Sequence, residues 1–330
     1  MGQRFLVTGG AGYVGSHLVA ALVERGDTVV VLDNLRTGHR GAVPPGVKLI
    51  VANLADTATV DAVLAEGPWH AVFHFASLSQ VGESMRLPLR YLIDNGVNGM
   101  RLIEACVQHG ISRFVLSSTA ALYGTPDVVP IPEDARLNSE SPYGDSKWFL
   151  ERALLWAERV HGLRYASLRY FNAAGADPAG RYGEDHRPET HLVPLVIGAA
   201  LGWRGQLDVY GDDYETPDGT CLRDYVHVSD LADAHVRTLD YLAAGGASTA
   251  FNLGTGAGTS VRAILDAIAR VTGAPVPIDV RPASPGDPPS LVANPARARA
   301  VLGWTPRHSS VDEIVATAWA WEAARKRRGV

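Results

Sequence analysis

The sequence predicts an α/β fold built on a doubly wound parallel sheet, with a smaller C-terminal α/β domain. Short apolar runs alternate with longer stretches of helical periodicity through the first half of the chain. The apolar runs are continuous, which is typical of strands that are buried on both faces. A chain of 330 residues, 46% of them hydrophobic, can bury the core that such a sheet needs.

The first half of the chain supplies most of the predicted sheet. Its predicted strands are rich in Val, Leu, Ile and Phe and lie at 4–8, 28–32, 47–51, 71–75, 113–117 and 164–169. The predicted helices between them lie at about 13–25, 57–66, 88–109 and 143–161. This alternation is typical of βαβ units, in which the strands run parallel.

The composition and the periodicity of the sequence change after Arg169. Residues 172–225 are less periodic and richer in Gly, Pro, Asp and His, a composition typical of binding loops. Beyond them we expect a strand at 250–254 and helices at 228–243, 260–272, 295–302 and 310–327.

Composition argues against several classes of partner. The net charge of −5 shows no basic excess for nucleic acid. No uninterrupted run of eighteen apolar residues predicts a membrane span, and the first residues do not form a signal peptide. The two cysteines make neither a disulfide framework nor a Cys-x-x-Cys site. We expect a cytoplasmic protein without a metal site.

The segment VTGGAGYVGSH predicts a dinucleotide-binding turn. Gly9, Gly12 and Gly15 follow the first strand at a spacing of three, where the backbone must approach a pyrophosphate and the helix must pack on the sheet. The helix N-terminus then faces the anion. Asp33 ends the second strand, where a carboxylate accepts hydrogen bonds from ribose hydroxyls and repels a 2′-phosphate. The pattern therefore favours NAD over NADP.

The segment SPYGDSKW carries a tyrosine and a lysine on one helical face, since Tyr143 stands four residues before Lys147. A free tyrosine has a pKa of about 10, too high for a general base at neutral pH. Two positive charges, the ammonium and an oxidised nicotinamide, would lower it. We therefore expect Lys147 to help make Tyr143 a base. Thr119, at the end of the fifth strand, would offer its hydroxyl to a substrate oxygen at the ligand crevice.

The chain resembles the extended short-chain dehydrogenase/reductase superfamily and, within it, the UDP-glucose 4-epimerases. The resemblance covers essentially the whole chain. Its motifs are VTGGAGYVGSH, VLDNL, VFHFASLSQVGES, SSTAALYG, SPYGDSKW, LRYFNAAGADP, ETHLVPL, YGDDYETPDGTCLRDYVHVSDLADAH and FNLGTG.

The resemblance implies oxidation and re-reduction at carbon 4 of a UDP-hexose by tightly bound NAD, interconverting UDP-galactose and UDP-glucose. It implies Tyr143 as the base, Lys147 as modulator of its pKa and anchor of the nicotinamide ribose, and Thr119 as the hydroxyl bridging the substrate oxygen. It also implies a homodimer. It divides the chain into an NAD-binding domain at 1–172, to which residues 224–254 return, and a UDP-sugar domain at 173–223 and 255–330.

The resemblance also implies two sets of binding residues. The expected NAD contacts are Gly9, Gly12, Tyr13, Val14, Asp33, Asn34, Asn53, Leu54, Phe75, Ala76, Ser77, Asn95, Tyr143, Lys147 and Tyr170. The expected UDP-sugar contacts are Thr119, Tyr143, Asn172, His191, Leu192, Val209, Tyr210, Arg223 and Asp287, with Val209 and Tyr210 against uracil.

Some positions depart from the family pattern. Thr119 replaces a common serine, Asn53 replaces an aspartate that reads adenine, and Ser79 replaces a lysine. Ser284 stands where the family has a diphosphate-binding arginine, so we expect the diphosphate to depend more on Arg223. Leu291 occupies a position thought to limit the sugar pocket; its bulk favours UDP-glucose and UDP-galactose over N-acetyl sugars.

The same residues bear on several other functions. A 4,6-dehydratase needs an Asp-Glu pair where this chain has Ala120 and Ala121, so we discount it. UDP-xylose/UDP-arabinose epimerisation stays open, as does UDP-glucuronate epimerisation, for which Arg187 is a candidate carboxylate partner. A different class is a non-catalytic NAD-binding sensor or scaffold, because a fold does not fix a function.

Overall fold

The computed structural model describes residues 2–283 and 288–328. Its strands, numbered in chain order, are β1 (Arg4–Thr8), β2 (Thr28–Asp33), β3 (Lys48–Val51), β4 (Ala71–His74), β5 (Arg113–Thr119), β6 (Arg164–Tyr170), β7 (Asn172–Ala174), β8 (Leu207–Tyr210), β9 (Leu222–Arg223), β10 (Tyr225–His227), β11 (Thr249–Leu253), β12 (Thr259–Ser260), β13 (Ile278–Arg281) and β14 (Ser290–Leu291). Its α-helices are α1 (Tyr13–Glu24), α2 (Thr57–Ala65), α3 (Val81–Arg86), α4 (Pro88–Tyr91), α5 (Asn98–Gln108), α6 (Pro142–His161), α7 (Leu192–Ala200), α8 (Val228–Ala243), α9 (Val261–Thr272), α10 (Ala296–Leu302) and α11 (Val311–Arg328).

The predicted doubly wound sheet is confirmed. Within the described residues it has seven strands in the order β3-β2-β1-β4-β5-β6-β11, and all neighbours are parallel. Its side chains point alternately to two apolar cores: Phe5 and Val7 belong to one, and Leu6 to the other. Burial on both faces explains why the strands read as continuous apolar runs.

The helix predicted at 88–109 is interrupted, which corrects the sequence prediction. The chain runs through α4, a π-helical turn at Leu92–Val97, and then α5. The turn carries Asn95, which is 1% exposed and whose amide hydrogen-bonds both the N–H and the carbonyl of Leu78. Wide turns of this kind often occur at functional sites. Tertiary hydrogen bonds, and not helical periodicity, determine this break.

The later part of the chain contributes to two regions. β11 pairs with β6 at the edge of the main sheet, and α8 packs against α1. Helices α7, α9 and α11 pack together around a separate apolar core. β11 and α8 thus pack on the main sheet and its helices, while the division of the chain into two functional domains stays a prediction.

The connectivity fixes where a ligand cleft lies. The chain runs outward from β1 to β2 and β3, then crosses back to β4 on the other side of β1. Ligands of such sheets bind beyond the carboxyl ends of the strands, at this reversal. Across residues 2–283 and 288–328, the helices include none that combines the length and the apolar composition needed to cross a membrane.

Candidate active site

The glycine turn after β1 has the geometry that a pyrophosphate requires. Gly9 has φ +75°, and a Cβ there would lie 2.4 Å from the backbone nitrogen of Ala76. A Cβ on Gly15 would lie 2.3 Å from the carbonyl oxygen of Gly9. Gly12 is the N-cap of α1 and offers no side-chain hydrogen bond, and the first turn of the helix contains no acidic residue. The first N–H groups of α1 are therefore suited to an anionic ligand.

Asp33 is held at the end of β2 by two backbone hydrogen bonds. Its carboxylate accepts from the N–H of Ala11 at 3.0 Å and from the N–H of Leu35 at 2.8 Å. Burial raises its pKa, and the two hydrogen bonds oppose that shift. The carboxylate is fixed beside the glycine turn, as a partner for ribose hydroxyls should be. The glycines of the turn and the fixed carboxylate of Asp33 together fit NAD.

Tyr143 lies in the first turn of α6, which its sequence caps well. The Ser141 hydroxyl accepts from the N–H of Gly144 at 3.1 Å, and Pro142 occupies the first turn, where a missing N–H costs nothing. The start of α6 brings the phenol to the carboxyl end of β5, where its oxygen is hydrogen-bonded to the Thr119 hydroxyl. Burial raises the pKa of Tyr143, and this hydrogen bond partly offsets the increase.

Lys147 lies behind the cleft wall. It is 1% exposed, and its ammonium donates to the Ser77 hydroxyl at 2.9 Å and to the Ser117 carbonyl at 2.8 Å. Burial lowers its pKa to about 7. Burial of the phenol outweighs the opposing hydrogen bond, and the lowering of its pKa by Lys147 and an oxidised nicotinamide together stays a prediction. A cation bound next to the phenol would be needed to lower its pKa.

The rest of the cleft wall comes from several elements. Asn95 also donates to the Ser146 hydroxyl, which ties the π-helical turn to α6. The Tyr170 and Ser117 hydroxyls are hydrogen-bonded to each other, and burial raises the pKa of the tyrosine. Arg223 donates to the carbonyl of Pro288 at 3.0 Å.

Most of the predicted site residues line one cleft of about 920 Å³. They are Gly9, Gly12, Tyr13, Val14, Asp33, Asn34, Asn53, Leu54, Phe75, Ala76, Ser77, Asn95, Thr119, Tyr143, Tyr170, Asn172, His191 and Arg223. Ser79, one of the departures from the family pattern, lines it as well, and so does Leu291.

Four predicted residues are not part of the cleft lining. Lys147 contacts Ser77 and Ser117, which both line the cleft, and Leu192 begins α7. Val209 is buried in the core around α7 and α9, and its neighbour Tyr210 is 53% exposed. Their contacts with uracil stay predictions. Asp287 and Ser284 lie outside the described residues.

The same wall of the cleft carries a cluster of side chains that the sequence did not predict. Glu184, His186, Glu189 and His191 bring their carboxylate oxygens and imidazole nitrogens within 4.8 Å of one another. Burial opposes ionisation of His191, but hydrogen bonds to the two glutamates outweigh it and raise its pKa to about 10. The signal was present in GEDHRPETH, where acidic residues and histidines alternate, but such a loop has no periodicity to show that they converge.

A comparison with protein-family models matches residues 5–254 to the NAD dependent epimerase/dehydratase family. The chain belongs to the NAD dependent epimerase/dehydratase family. The match spans the glycine turn, Tyr143 and Arg223, so these three elements of the cleft come from the part shared with the family.

Relatives within the NAD dependent epimerase/dehydratase family match nearly the full chain. A UDP-glucose 4-epimerase of Streptococcus mutans is 48% identical over 98% of this chain and 97% of its own. The structure of UDP-glucose 4-epimerase from Brucella ovis in complex with NAD is 44% identical, with a TM-score of 0.94 over 96% of this chain and 98% of its own. That from Bifidobacterium longum in complex with NAD⁺ and UDP is 34% identical, with a TM-score of 0.92 over 98% and 99%.

Proposed function

We propose that this protein is a UDP-glucose 4-epimerase that interconverts UDP-galactose and UDP-glucose and keeps NAD bound between turnovers. The observation that carries the proposal is the hydrogen-bonded Tyr143–Thr119 pair, which lies in the same cleft as the glycine turn and Asp33. A proton acceptor beside a dinucleotide site is what reversible oxidation of a sugar hydroxyl requires.

Each residue of the pair has its own task in the proposed reaction. NAD, when bound, supplies the hydride acceptor and a positive charge that lowers the pKa of the phenol. Tyr143 takes the proton from the 4-hydroxyl of the sugar and later returns it. Thr119 hydrogen-bonds both the phenol and the reacting oxygen, so the proton moves along a fixed line. Lys147, whose ammonium is held by Ser77 and Ser117, adds positive charge behind the cleft wall.

In the proposed reaction the UDP group stays bound while the sugar ring rotates and presents its opposite face to NAD. Arg223 faces the cleft, and its planar guanidinium suits a diphosphate. Asn172 and His191 line the same wall. The Bifidobacterium longum relative binds UDP together with NAD⁺, which supports a UDP-sugar as the substrate here. Leu291 limits the pocket and favours hexoses without an N-acetyl group.

The same proposal includes the organisation of the chain. Residues 1–172 with 224–254 hold NAD, and residues 173–223 with 255–330 hold the UDP-sugar, Asp287 among them. The functional unit is a homodimer formed through helices α4 to α6. A cytoplasmic location stays a prediction from the cysteine usage.

The test is conversion of UDP-galactose to UDP-glucose by purified protein without added NAD. We expect turnover in the wild type, its loss in Tyr143→Phe, and its retention in Tyr241→Phe, a control whose phenol bonds the Ala247 carbonyl far from the cleft. The NAD content of Tyr143→Phe should stay that of the wild type. Turnover of UDP-xylose or UDP-glucuronate alone would reassign the sugar. NAD-bound protein that turns over none of these sugars would support the non-catalytic sensor.

A further inference from the structure

The cluster in the cleft wall has the composition of a transition-metal site. The Nδ1 atom of His191 lies 2.6 Å from Oε1 of Glu184 and 3.2 Å from Oε1 of Glu189. The Nδ1 atom of His186 lies 3.0 Å from the same Glu184 oxygen and 3.8 Å from Oε2 of Glu189. Ligands at about 2.1 Å from a tetrahedral ion are about 3.4 Å apart. These four His–Glu separations bracket that value, and all four donor atoms lie within 4.8 Å of one another.

We propose that Glu184, His186, Glu189 and His191 bind one divalent transition-metal ion such as Zn²⁺, in exchange for the protons that bridge them. Two imidazole nitrogens and two carboxylate oxygens form a donor set that suits Zn²⁺ and Co²⁺ and does not suit Mg²⁺. Two carboxylates balance the charge of the ion. Glu184, His186 and His191 line the cleft, which gives the ion a path from solvent.

Surrounding contacts hold the donors in position before any ion binds. The Trp321 indole donates to the Glu184 carbonyl at 2.9 Å. Oε1 of Glu189 accepts from the backbone N–H groups of Thr190 and His191 at 2.7 and 2.8 Å. The Tyr13 ring lies edge-on to the His186 ring. Outer contacts of this kind orient metal ligands and commonly change affinity by about 10–100-fold.

The position of the cluster gives the ion a consequence for catalysis. His191 belongs to the proposed UDP-sugar site, and an ion would fix its imidazole through Nδ1 and change the charge of that wall. We expect Zn²⁺ to raise the KM for the UDP-sugar more than it lowers kcat. The metal site does not depend on the proposed activity, since binding is measured without a sugar.

The experiment is calorimetric titration of Zn²⁺ into the NAD-containing protein after treatment with a chelator. We expect one ion per chain with a Kd in the micromolar range or tighter. The variants His186→Ala and Glu189→Gln should each weaken binding by about ten-fold or more, because the first removes a nitrogen ligand and the second replaces an anionic oxygen ligand with a neutral one. His308→Ala is the matched control: its Nδ1 lies 2.6 Å from Oε1 of Glu313, in a His–Glu pair outside the cluster. It should bind Zn²⁺ as the wild type does.

A second measurement uses the wild type alone, so that misfolding of a variant cannot decide the result. Co²⁺ in place of Zn²⁺ should give the intense visible absorption of a four-coordinate ion. Absence of both the calorimetric signal and this spectrum would show that the cluster is only a proton-bridged ion-pair network, and would overturn the proposal. Equal Zn²⁺ affinity in the wild type and both cluster variants would overturn it as well.

Discussion

At the scale of single residues, we expect the hydroxyl of Thr119, at the end of β5, to act in the reaction. Its Oγ also accepts from the N–H of Ala121 at 3.1 Å, which fixes its direction. Thr119→Val keeps the shape and removes the hydrogen bond to Tyr143, so we expect kcat to fall by about 10²–10³-fold. Thr119→Ser keeps the hydroxyl and should keep most of the activity. Steady-state kinetics of both variants make the comparison; full activity in Thr119→Val would mean that the hydroxyl does not act in the reaction.

We expect Lys147 to be needed for activity but not for stability. An ammonium that is 1% exposed and whose pKa burial lowers to about 7 costs folding free energy. Lys147→Met keeps the volume and removes the charge, so we expect a melting temperature no lower than that of the wild type.

The same Lys147→Met variant should lose about 10² in kcat, because the charge behind Tyr143 is gone. Thermal melts and kinetics of one preparation test both points. Lys326→Met, at an exposed lysine, is the control and should change neither. A strong drop in melting temperature would show that the hydrogen bonds to Ser77 and Ser117 stabilise more than burial of the charge costs.

At the scale of elements, the turn between β1 and α1 depends on close backbone approach. A Cβ on Gly15 would lie 2.3 Å from a backbone oxygen that cannot move without opening the turn. We expect Gly15→Ala to lower the free energy of unfolding by about 1–3 kcal/mol and to reduce the NAD content of purified protein. Gly41→Ala, where a Cβ would meet no atom within 4 Å, should change neither. Absorbance ratios and urea unfolding measure the two quantities.

The elements show what the sequence could predict and what it could not. Strands such as β1 and β5 were predictable because burial on both faces leaves a continuous apolar run. The Tyr143–Thr119 pair was predictable because the end of a parallel strand and the start of the next helix open onto one crevice. The π-helical turn was not, because it depends on hydrogen bonds between Asn95 and the distant Leu78. The cluster around Glu184 was not predictable, because a loop has no periodic residue pattern from which to infer which side chains lie together.

At the scale of the whole molecule, buried histidines should make stability depend on pH. Burial, aided by the charge of Lys147, lowers the pKa of His74 to about 3. Burial lowers the pKa of His235 to about 4, although its imidazole bonds the Leu231 carbonyl at 2.8 Å. Between pH 6.5 and 4 the unfolded chain therefore takes up protons that the folded chain does not. Stability is complete above about pH 6.5 and is lost as the pH falls towards 4.

A variant isolates the contribution of His235. The shift from 6.5 to about 4 corresponds to roughly 3 kcal/mol at low pH. We expect His235→Leu to show a smaller loss of unfolding free energy between pH 6.5 and 4.5 than the wild type, in urea titrations at several pH values. His161→Asn, at the exposed end of α6, should keep the wild-type slope. An unchanged slope in His235→Leu would mean that other groups cause the acid sensitivity.

The proposed homodimer can be tested on the outer face of helices α4 to α6. These helices pack on one another and leave large apolar side chains exposed, with Leu89 at 70%, Ile93 at 54% and Trp156 at 53%. A monomer rarely exposes such a patch. In light scattering coupled to size exclusion, we expect the wild type at twice the chain mass and Trp156→Glu at the chain mass, because the variant would bury a charge in the interface. Trp203→Glu, at another exposed tryptophan outside α4 to α6, should stay dimeric. A wild type at the mass of one chain would contradict the proposed homodimer.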